Sequence, residues 1–118
     1  MAKKRNIISA NYLEKTPVRH PSIGYTVDES GAVTLEIENI GFFNRVAQKL
    51  FKRPKISYVH LDENGSFIWL AIDGEKDITA IGALVDEHFG EAAHPLYERL
   101  AKFFGILDSY HFITWKED

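Results

Sequence analysis

Alternation of apolar and polar positions in the first third of the chain predicts a β-hairpin. The runs IGYTV (23–27) and VTLEIE (33–38) flank a polar segment, DESGA, in which Gly31 is placed to form a turn. In the second run, apolar residues such as Val33 and Leu35 alternate with polar ones. A period of two is typical of a strand with one buried face.

A third strand is predicted over KISYVHL (55–61). The period of two places Ile56 and Tyr58 on one face of this strand. Val59 and Leu61 lie on the opposite or inward face.

Three helices are expected after this strand. The first begins after Asp62, an N-capping residue, and ends near Asp73. The second begins after Asp77 and ends at Gly90, and the third has Pro95 at its first position, where proline is favoured.

The apolar positions of these helices predict how they are buried. The first helix is apolar nearly all round, which is typical of a central core helix. The second has an inward stripe, and FITW (112–115) predicts a short last strand. The stripe of the second helix consists of Ile78, Ile81, Val85 and Phe89.

The segment GFFNRVAQKLFKRPK (41–55) predicts a basic amphipathic helix that Pro54 ends. It contains five Lys/Arg and no acidic residue. Such a helix either caps the core with its apolar stripe or meets an acidic partner or a membrane surface. Both interpretations stay open.

Charge is distributed unevenly along the 118 residues. Residues 1–61 carry ten Lys/Arg and five Asp/Glu, and residues 62–118 carry four and twelve. The two halves therefore have formal charges of +5 and −8, which either marks two electrostatically distinct faces or is scatter over a solvated surface. The absence of cysteine suits a reducing cytoplasm. No stretch predicts a secretion signal or a membrane span.

The order of elements predicts an α+β fold. A hairpin, a peripheral helix, a strand, three helices and a short strand are the components of a winged-helix-like domain. We expect a loose tail over residues 1–16, in which Tyr12 and Leu13 can dock, then an extended connector between Pro17 and Pro21. The single domain is expected to cover residues 17–118.

The stretch HLDENGSFIWLAIDGEKDITAIGALVDEHFG (60–90) resembles the core signature of the PqqD family, and the resemblance extends over roughly residues 55–113. The positions that carry it are a strand-ending leucine, polar caps, an aliphatic-Trp pair, an Asp-Gly turn and spaced aliphatic residues. They are Leu61, Asp62, Gly65, Ile68, Trp69, Asp73, Gly74, Ile78, Ile81 and Phe89.

The resemblance implies a peptide-binding protein, a RiPP recognition element that needs no cofactor. The long hairpin and the basic segment 41–55 indicate a stand-alone member of the family. Such domains hold the leader of a ribosomally made precursor peptide and present it to a modifying enzyme, often a radical SAM enzyme. The leader adds as a strand beside the third strand, against the last helix. On the strand, the resemblance points to Lys55, Ile56, Ser57, Tyr58, Val59 and His60.

The last helix is expected to have a separate binding face. Stepping about 100° per residue from Tyr97 groups one set of residues between about 240° and 300°, and a second set between about −20° and 80°. The first set, which we expect in the core, is Leu96, Leu100, Phe103 and Leu107. The second set, which we expect to bind peptide or to pack under other elements, is Tyr97, Ala101, Phe104, Gly105 and Asp108.

Catalysis is not expected. The five histidines show no tight pairing with one another or with carboxylates in the sequence, so no metal site is predicted. No phosphate-binding loop or nucleophile motif is present. Two alternatives to peptide capture are an adaptor that uses the basic segment and a winged-helix DNA-binding protein. The acidic second and third helices argue against DNA.

Overall fold

The structure is a computed structural model that describes residues 10–39 and 55–116. The chain divides into two compact units. We call residues 21–66 the sheet unit, and residues 1–20 with 67–118 the helical unit. In chain order the elements are α1 (Ala10–Leu13), β1 (Pro17–Arg19), β2 (Gly24–Val27), β3 (Val33–Asn39), β4 (Lys55–His60), α2 (Glu63–Ala71), α3 (Ile78–Phe89), a 3-10 helix (Gly90–Ala93), α4 (Leu96–Ser109) and β5 (Ile113–Trp115).

The sheet unit contains a three-stranded antiparallel sheet in the order β2-β3-β4. The predicted hairpin is confirmed, and Gly31 in its turn has a φ of 93°, which favours glycine. The Asp28 carboxylate accepts hydrogen bonds from the hydroxyl and amide of Ser30 and from the amide of Ala32. These bonds, led by that of the Ser30 hydroxyl, lower the pKa of Asp28.

Burial alternates along the central strand β3. Val33 and Leu35 are fully buried, whereas Thr34 between them and Glu36 after them are half-buried and Glu38 is exposed. The predicted period of two on β3 is therefore confirmed.

Ser66 joins the end of the sheet to the start of α2. Its hydroxyl accepts a hydrogen bond from the Val33 amide at 2.8 Å and donates one to the Leu61 carbonyl at 3.3 Å. The hydroxyl therefore stands between two backbone groups that would otherwise bond each other directly. Ser66 is buried at 3% exposure, so this bridge satisfies its only side-chain polar group.

The helical unit contains α3, α4 and most of α2. The predicted caps are confirmed, because Asp62 accepts from the Gly65 amide and Asp77 accepts from the Ala80 amide, both at 2.8 Å. Gly90 ends α3 with a φ of 61°. The buried apolar residues of this unit are Ile68, Trp69, Ile72, Ile78, Ile81, Val85, Ala93, Leu96, Leu100, Phe104, Leu107 and Ile113.

The helical unit differs from the sequence analysis in several details. Phe89, expected in the inward stripe of α3, and Phe103, expected on the core face of α4, are only half-buried. The segment expected to be an extended connector forms β1, which pairs antiparallel with β5, with Val18 opposite Thr114. Leu70 is 43% exposed, so α2 is not buried all round. Pro95 precedes the first residue of α4 as its cap, since the helix begins at Leu96.

Part of the segment expected to be a tail is docked in the helical unit. Tyr12 on α1 makes an edge contact with Trp115, with ring centroids 5.9 Å apart. The Leu13 carbonyl accepts a hydrogen bond from the Thr79 hydroxyl at 3.1 Å. Residues 1–9 lie outside the described residues, and the division at residues 16 and 17 stays a prediction.

The predicted basic helix at 41–55 lies outside the described residues, apart from its last residue, Lys55, which begins β4. The α+β class is confirmed by the described elements. The single domain over residues 17–118 stays a prediction.

Candidate functional site

The strand β4 lies at the edge of its sheet. It pairs with β3 on one side, in the register that places Tyr58 opposite Glu36 and His60 opposite Thr34. Among the residues that the structure describes, no strand pairs with the other side of β4. An edge strand presents a row of backbone donors and acceptors to whatever lies beside it.

The hydrogen bonds of the sheet show which residues of β4 direct these groups outward. The Leu61 amide donates to the Val33 carbonyl at 2.9 Å, so these two residues form a hydrogen-bonded pair. Such pairs recur every second residue in an antiparallel ladder, so Ser57 and Val59 also direct their backbone groups toward β3. The intervening residues of β4 therefore direct theirs away from β3. They are Ile56, Tyr58 and His60.

A hydrogen bond at the turn between β2 and β3 supports the same alternation of inward and outward backbone groups. The Asp28 amide donates to the Ala32 carbonyl at 3.0 Å, at the start of the β2–β3 ladder. In that ladder Thr34 and Glu36 bond toward β2, which leaves Val33 and Leu35 to bond toward β4.

The side chains of β4 follow the predicted faces. Ile56 and Tyr58 lie on the exposed face of the sheet and are 42% and 59% exposed. Val59 is half-buried and Ser57 is exposed on the opposite face. The imidazole Nδ1 of His60 lies 2.9 Å from the Thr34 hydroxyl, a contact that the polar pattern of β3 gave no reason to expect.

One strip of α4 is exposed as expected. Tyr97 is 40% exposed, Gly105 and Asp108 are exposed, and Ala101 between them is half-buried. No atom of residues 10–39 or 55–116 would lie within 4 Å of a Cβ at Gly105, so these residues leave the space above it open. Tyr97 also packs toward α3, since a Cβ on Gly82 would lie 3.2 Å from its ring.

Phe104 was expected either to bind peptide with this set or to pack under other elements, and its burial contradicts a direct peptide contact. Its side chain is fully buried, and its ring lies 6.4 Å from that of Trp115. On the helical wheel Phe104 lies about 40° from the core residue Leu100, and a buried helical stripe is about 100° wide or more. The buried face of α4 therefore extends further around the helix than predicted, and it includes Phe104.

Asp108 lies near the N-terminal helix α1. The pKa of the Tyr12 hydroxyl is raised, first because the residue is partly buried and second because the Asp108 carboxylate disfavours the phenolate. Lys15 contacts the same aromatic pair, with its Nζ 5.0 Å from the ring centroid of Trp115 and 5.8 Å from that of Tyr12. Tyr12, a residue of the predicted tail, is therefore close enough to Asp108 for the two groups to interact electrostatically.

Comparison with known families gives a result that agrees with this geometry. The sequence model of the family described as Coenzyme PQQ synthesis protein D (PqqD) matches residues 31–113, well over half of the chain. The chain belongs to the PqqD family. The match includes β3, β4, the three long helices and the start of β5. No curated protein and no solved structure shows a significant match.

Membership of the PqqD family establishes the fold type and the general class of activity. The PqqD fold is winged-helix-like, and PqqD proteins are non-catalytic chaperones of peptides, so the chain is not an enzyme. Family membership implies binding of a ribosomally made precursor peptide.

The signature residues of the family build the fold in this chain. Ile68, Trp69 and Ile78 are buried, and Asp62 caps α2. Asp73 accepts hydrogen bonds from the Lys76 side chain and from the amides of residues 75 and 76, which lower its pKa. These residues identify the family through its core and turns, and the exposed candidates for binding lie before and after them.

One histidine differs from expectation. His94 Nε2 lies 2.9 Å from the Asp86 carboxylate, although no such pairing was expected from the sequence. Both residues are exposed. Within residues 10–39 and 55–116, no group of three histidine or carboxylate side chains is arranged to hold a metal. None of the helices described there is both long enough and apolar enough to cross a membrane.

Proposed function

We propose that this chain captures the leader of a precursor peptide as an added strand on β4 and presents it to a modifying enzyme of the radical SAM type. The observation that carries the proposal is the outward direction of the backbone groups of Ile56, Tyr58 and His60. Three residues with one donor and one acceptor each provide six backbone groups for an added strand.

The helix α4, in the helical unit, carries a second and separate set of proposed contacts. Tyr97 offers an aromatic surface, and the open space above Gly105 admits a peptide backbone. Asp108 offers a carboxylate at the other end of the strip. The proposed binding residues on α4 are therefore Tyr97, Ala101, Gly105 and Asp108, with Phe104 supporting them from the core.

The strand residues have different parts in the proposal. Ile56, Tyr58 and His60 bond the peptide through their backbones. Lys55, Ser57 and Val59 hold β4 in its register with β3, and Ser57 and Val59 face the other side of the sheet. Because the chain has no cysteine, we place this activity in the cytoplasm.

A pair of substitutions tests the added strand. Tyr58→Pro removes one outward N–H without breaking the ladder to β3, and proline is tolerated at such edge positions. Tyr58→Ala removes the same side chain and keeps the N–H. A peptide carbonyl left without its donor costs about 1–3 kcal/mol, so the proline variant should bind at least about fivefold more weakly than the alanine variant.

The measurement is fluorescence anisotropy with a labelled synthetic leader from the precursor encoded beside this protein's gene. Circular dichroism melting curves show that both variants remain folded. Equal affinities for folded Tyr58→Pro and Tyr58→Ala would exclude strand addition at this edge. The basic segment at 41–55, and with it the adaptor function, would then be the next region to test.

A further inference from the structure

A strand added to β4 has two rows of side chains, and the exposed face of the sheet carries an apolar pair that would meet one of them. Ile56 and Tyr58 are two residues apart on the same face, at 42% and 59% exposure. They are also two of the residues whose backbone groups point outward. The same edge therefore offers hydrogen bonds and an apolar surface together.

The register of such a strand follows from the ladder. A peptide residue that exchanges backbone hydrogen bonds with Tyr58 stands directly opposite it, and its side chain lies on the same face as the Tyr58 ring. The residue opposite Ile56 is two positions away along the peptide. The peptide residue between them projects to the other face, which is the face of Val33 and Leu35.

We propose that Ile56 and Tyr58 are specificity-determining residues that select a leader with two bulky apolar side chains spaced two residues apart. This inference rests on the proposed strand addition to β4. It assigns part of the selectivity to the exposed face of the sheet, in addition to the strip on α4.

The surroundings of the pair restrict what the face accepts. On β3, Glu36 stands opposite Tyr58 and Glu38 stands opposite Ile56. His60, the next residue on this face, is already in contact with the Thr34 hydroxyl. A peptide beside β4 would therefore meet the apolar side chains of Ile56 and Tyr58, and the two carboxylates would lie one strand further away, on β3. Acidic peptide side chains are for this reason disfavoured opposite Ile56 and Tyr58.

A positive charge introduced at position 58 tests whether this residue selects apolar peptide side chains. The probe is a display library of random peptides, long enough to add one strand, that is selected separately on the wild-type protein and on Tyr58→Lys. The wild type should enrich peptides with bulky apolar residues two apart. Tyr58→Lys should enrich an acidic residue at one of these two positions and leave the other apolar.

A matched control is available at Tyr110, which directly follows α4. Tyr110→Lys makes the same change at a tyrosine that is 65% exposed but lies outside the proposed site. Peptides selected on this variant should match those of the wild type. A peptide from the wild-type selection should bind Tyr58→Lys about twofold to fivefold more weakly, and Tyr110→Lys with unchanged affinity.

The outcomes separate the two proposals. If the wild type enriches no peptide, or if its peptides bind folded Tyr58→Pro and Tyr58→Ala equally, strand capture at β4 fails. If peptides depend on the Tyr58 amide but the selection on Tyr58→Lys is unchanged, strand capture stands and the specificity inference is overturned. Should Tyr58→Lys be unfolded in its melting curve, Tyr58→Ser takes its place, and unchanged apolar enrichment at both positions overturns the inference.

Discussion

The strand β4 and the helix α4 offer a ligand different kinds of contact. The strand presents the backbone groups of Ile56, Tyr58 and His60 in a fixed alternation, whatever side chains these residues carry. The helix has its own backbone groups bonded internally, so it offers only side chains and the open surface at Gly105. Backbone hydrogen bonds to a peptide are therefore available on the strand and not in the interior of the helix.

This difference separates affinity from selectivity. Backbone pairing accepts many sequences, because every residue except proline has the same donor and acceptor. Under the two proposals, selection should therefore depend on the side chains of α4 and on the exposed pair Ile56 and Tyr58. Substitutions on the helix should change which peptides bind, and those that remove a backbone group of β4 should weaken all of them.

The largest expected effect concerns the boundary between core and surface on α4. Phe104→Ala should lower the free energy of unfolding by about 3–5 kcal/mol, because removal of a buried aromatic ring leaves a cavity in the core. Tyr97→Ala, about two turns earlier and 40% exposed, should cost clearly less. Urea denaturation followed by circular dichroism measures both. A loss below about 1 kcal/mol for Phe104→Ala would show that its ring is not part of the core.

A smaller effect tests whether the peptide approaches α4 closely. Gly105→Ala should raise the free energy of unfolding by about 0.5–1 kcal/mol, since glycine disfavours a helix interior and none of the residues that the structure describes obstructs the new methyl group. It should also weaken binding of the leader if the peptide backbone lies against Gly105. Ala101→Gly is the control for stability, with a change of opposite sign.

Calorimetric titration of Gly105→Ala with the leader completes this test. A variant that is more stable and binds as tightly as the wild type would remove Gly105 from the proposed site. The strand would then be left as the principal contact.

Local patterns predicted the strand better than the helix, for a physical reason. Along β3 and β4 a residue faces one side of the sheet or the other, so the period of two leaves little ambiguity about Val33, Leu35 or Tyr58. Around a helix the faces grade into one another, and Phe104 lay near the limit between them. Capping by Asp62 and Asp77 was predictable because it depends on a few adjacent residues.

Contacts between distant parts of the chain were not predictable in this way. The pairing of β1 with β5 joins Val18 to Thr114, and no local pattern in a three-residue strand indicates its partner. The exposure of Leu70 likewise depends on what packs around α2 and not on the composition of the helix. The same holds for the proposed binding residues. The alternation of residues predicted the strand β4 and its faces, whereas the helical wheel identified only some of the exposed residues of α4.

Amide hydrogen exchange along β4 tests strand addition most directly. In the free protein the amides of Ser57, Val59 and Leu61 should exchange slowly, since they bond to β3, and those of Ile56, Tyr58 and His60 should exchange fast. With the leader bound, the fast amides should become protected and the slow ones should change little. If Ile56, Tyr58 and His60 still exchange fast at saturating peptide, the leader does not add to β4.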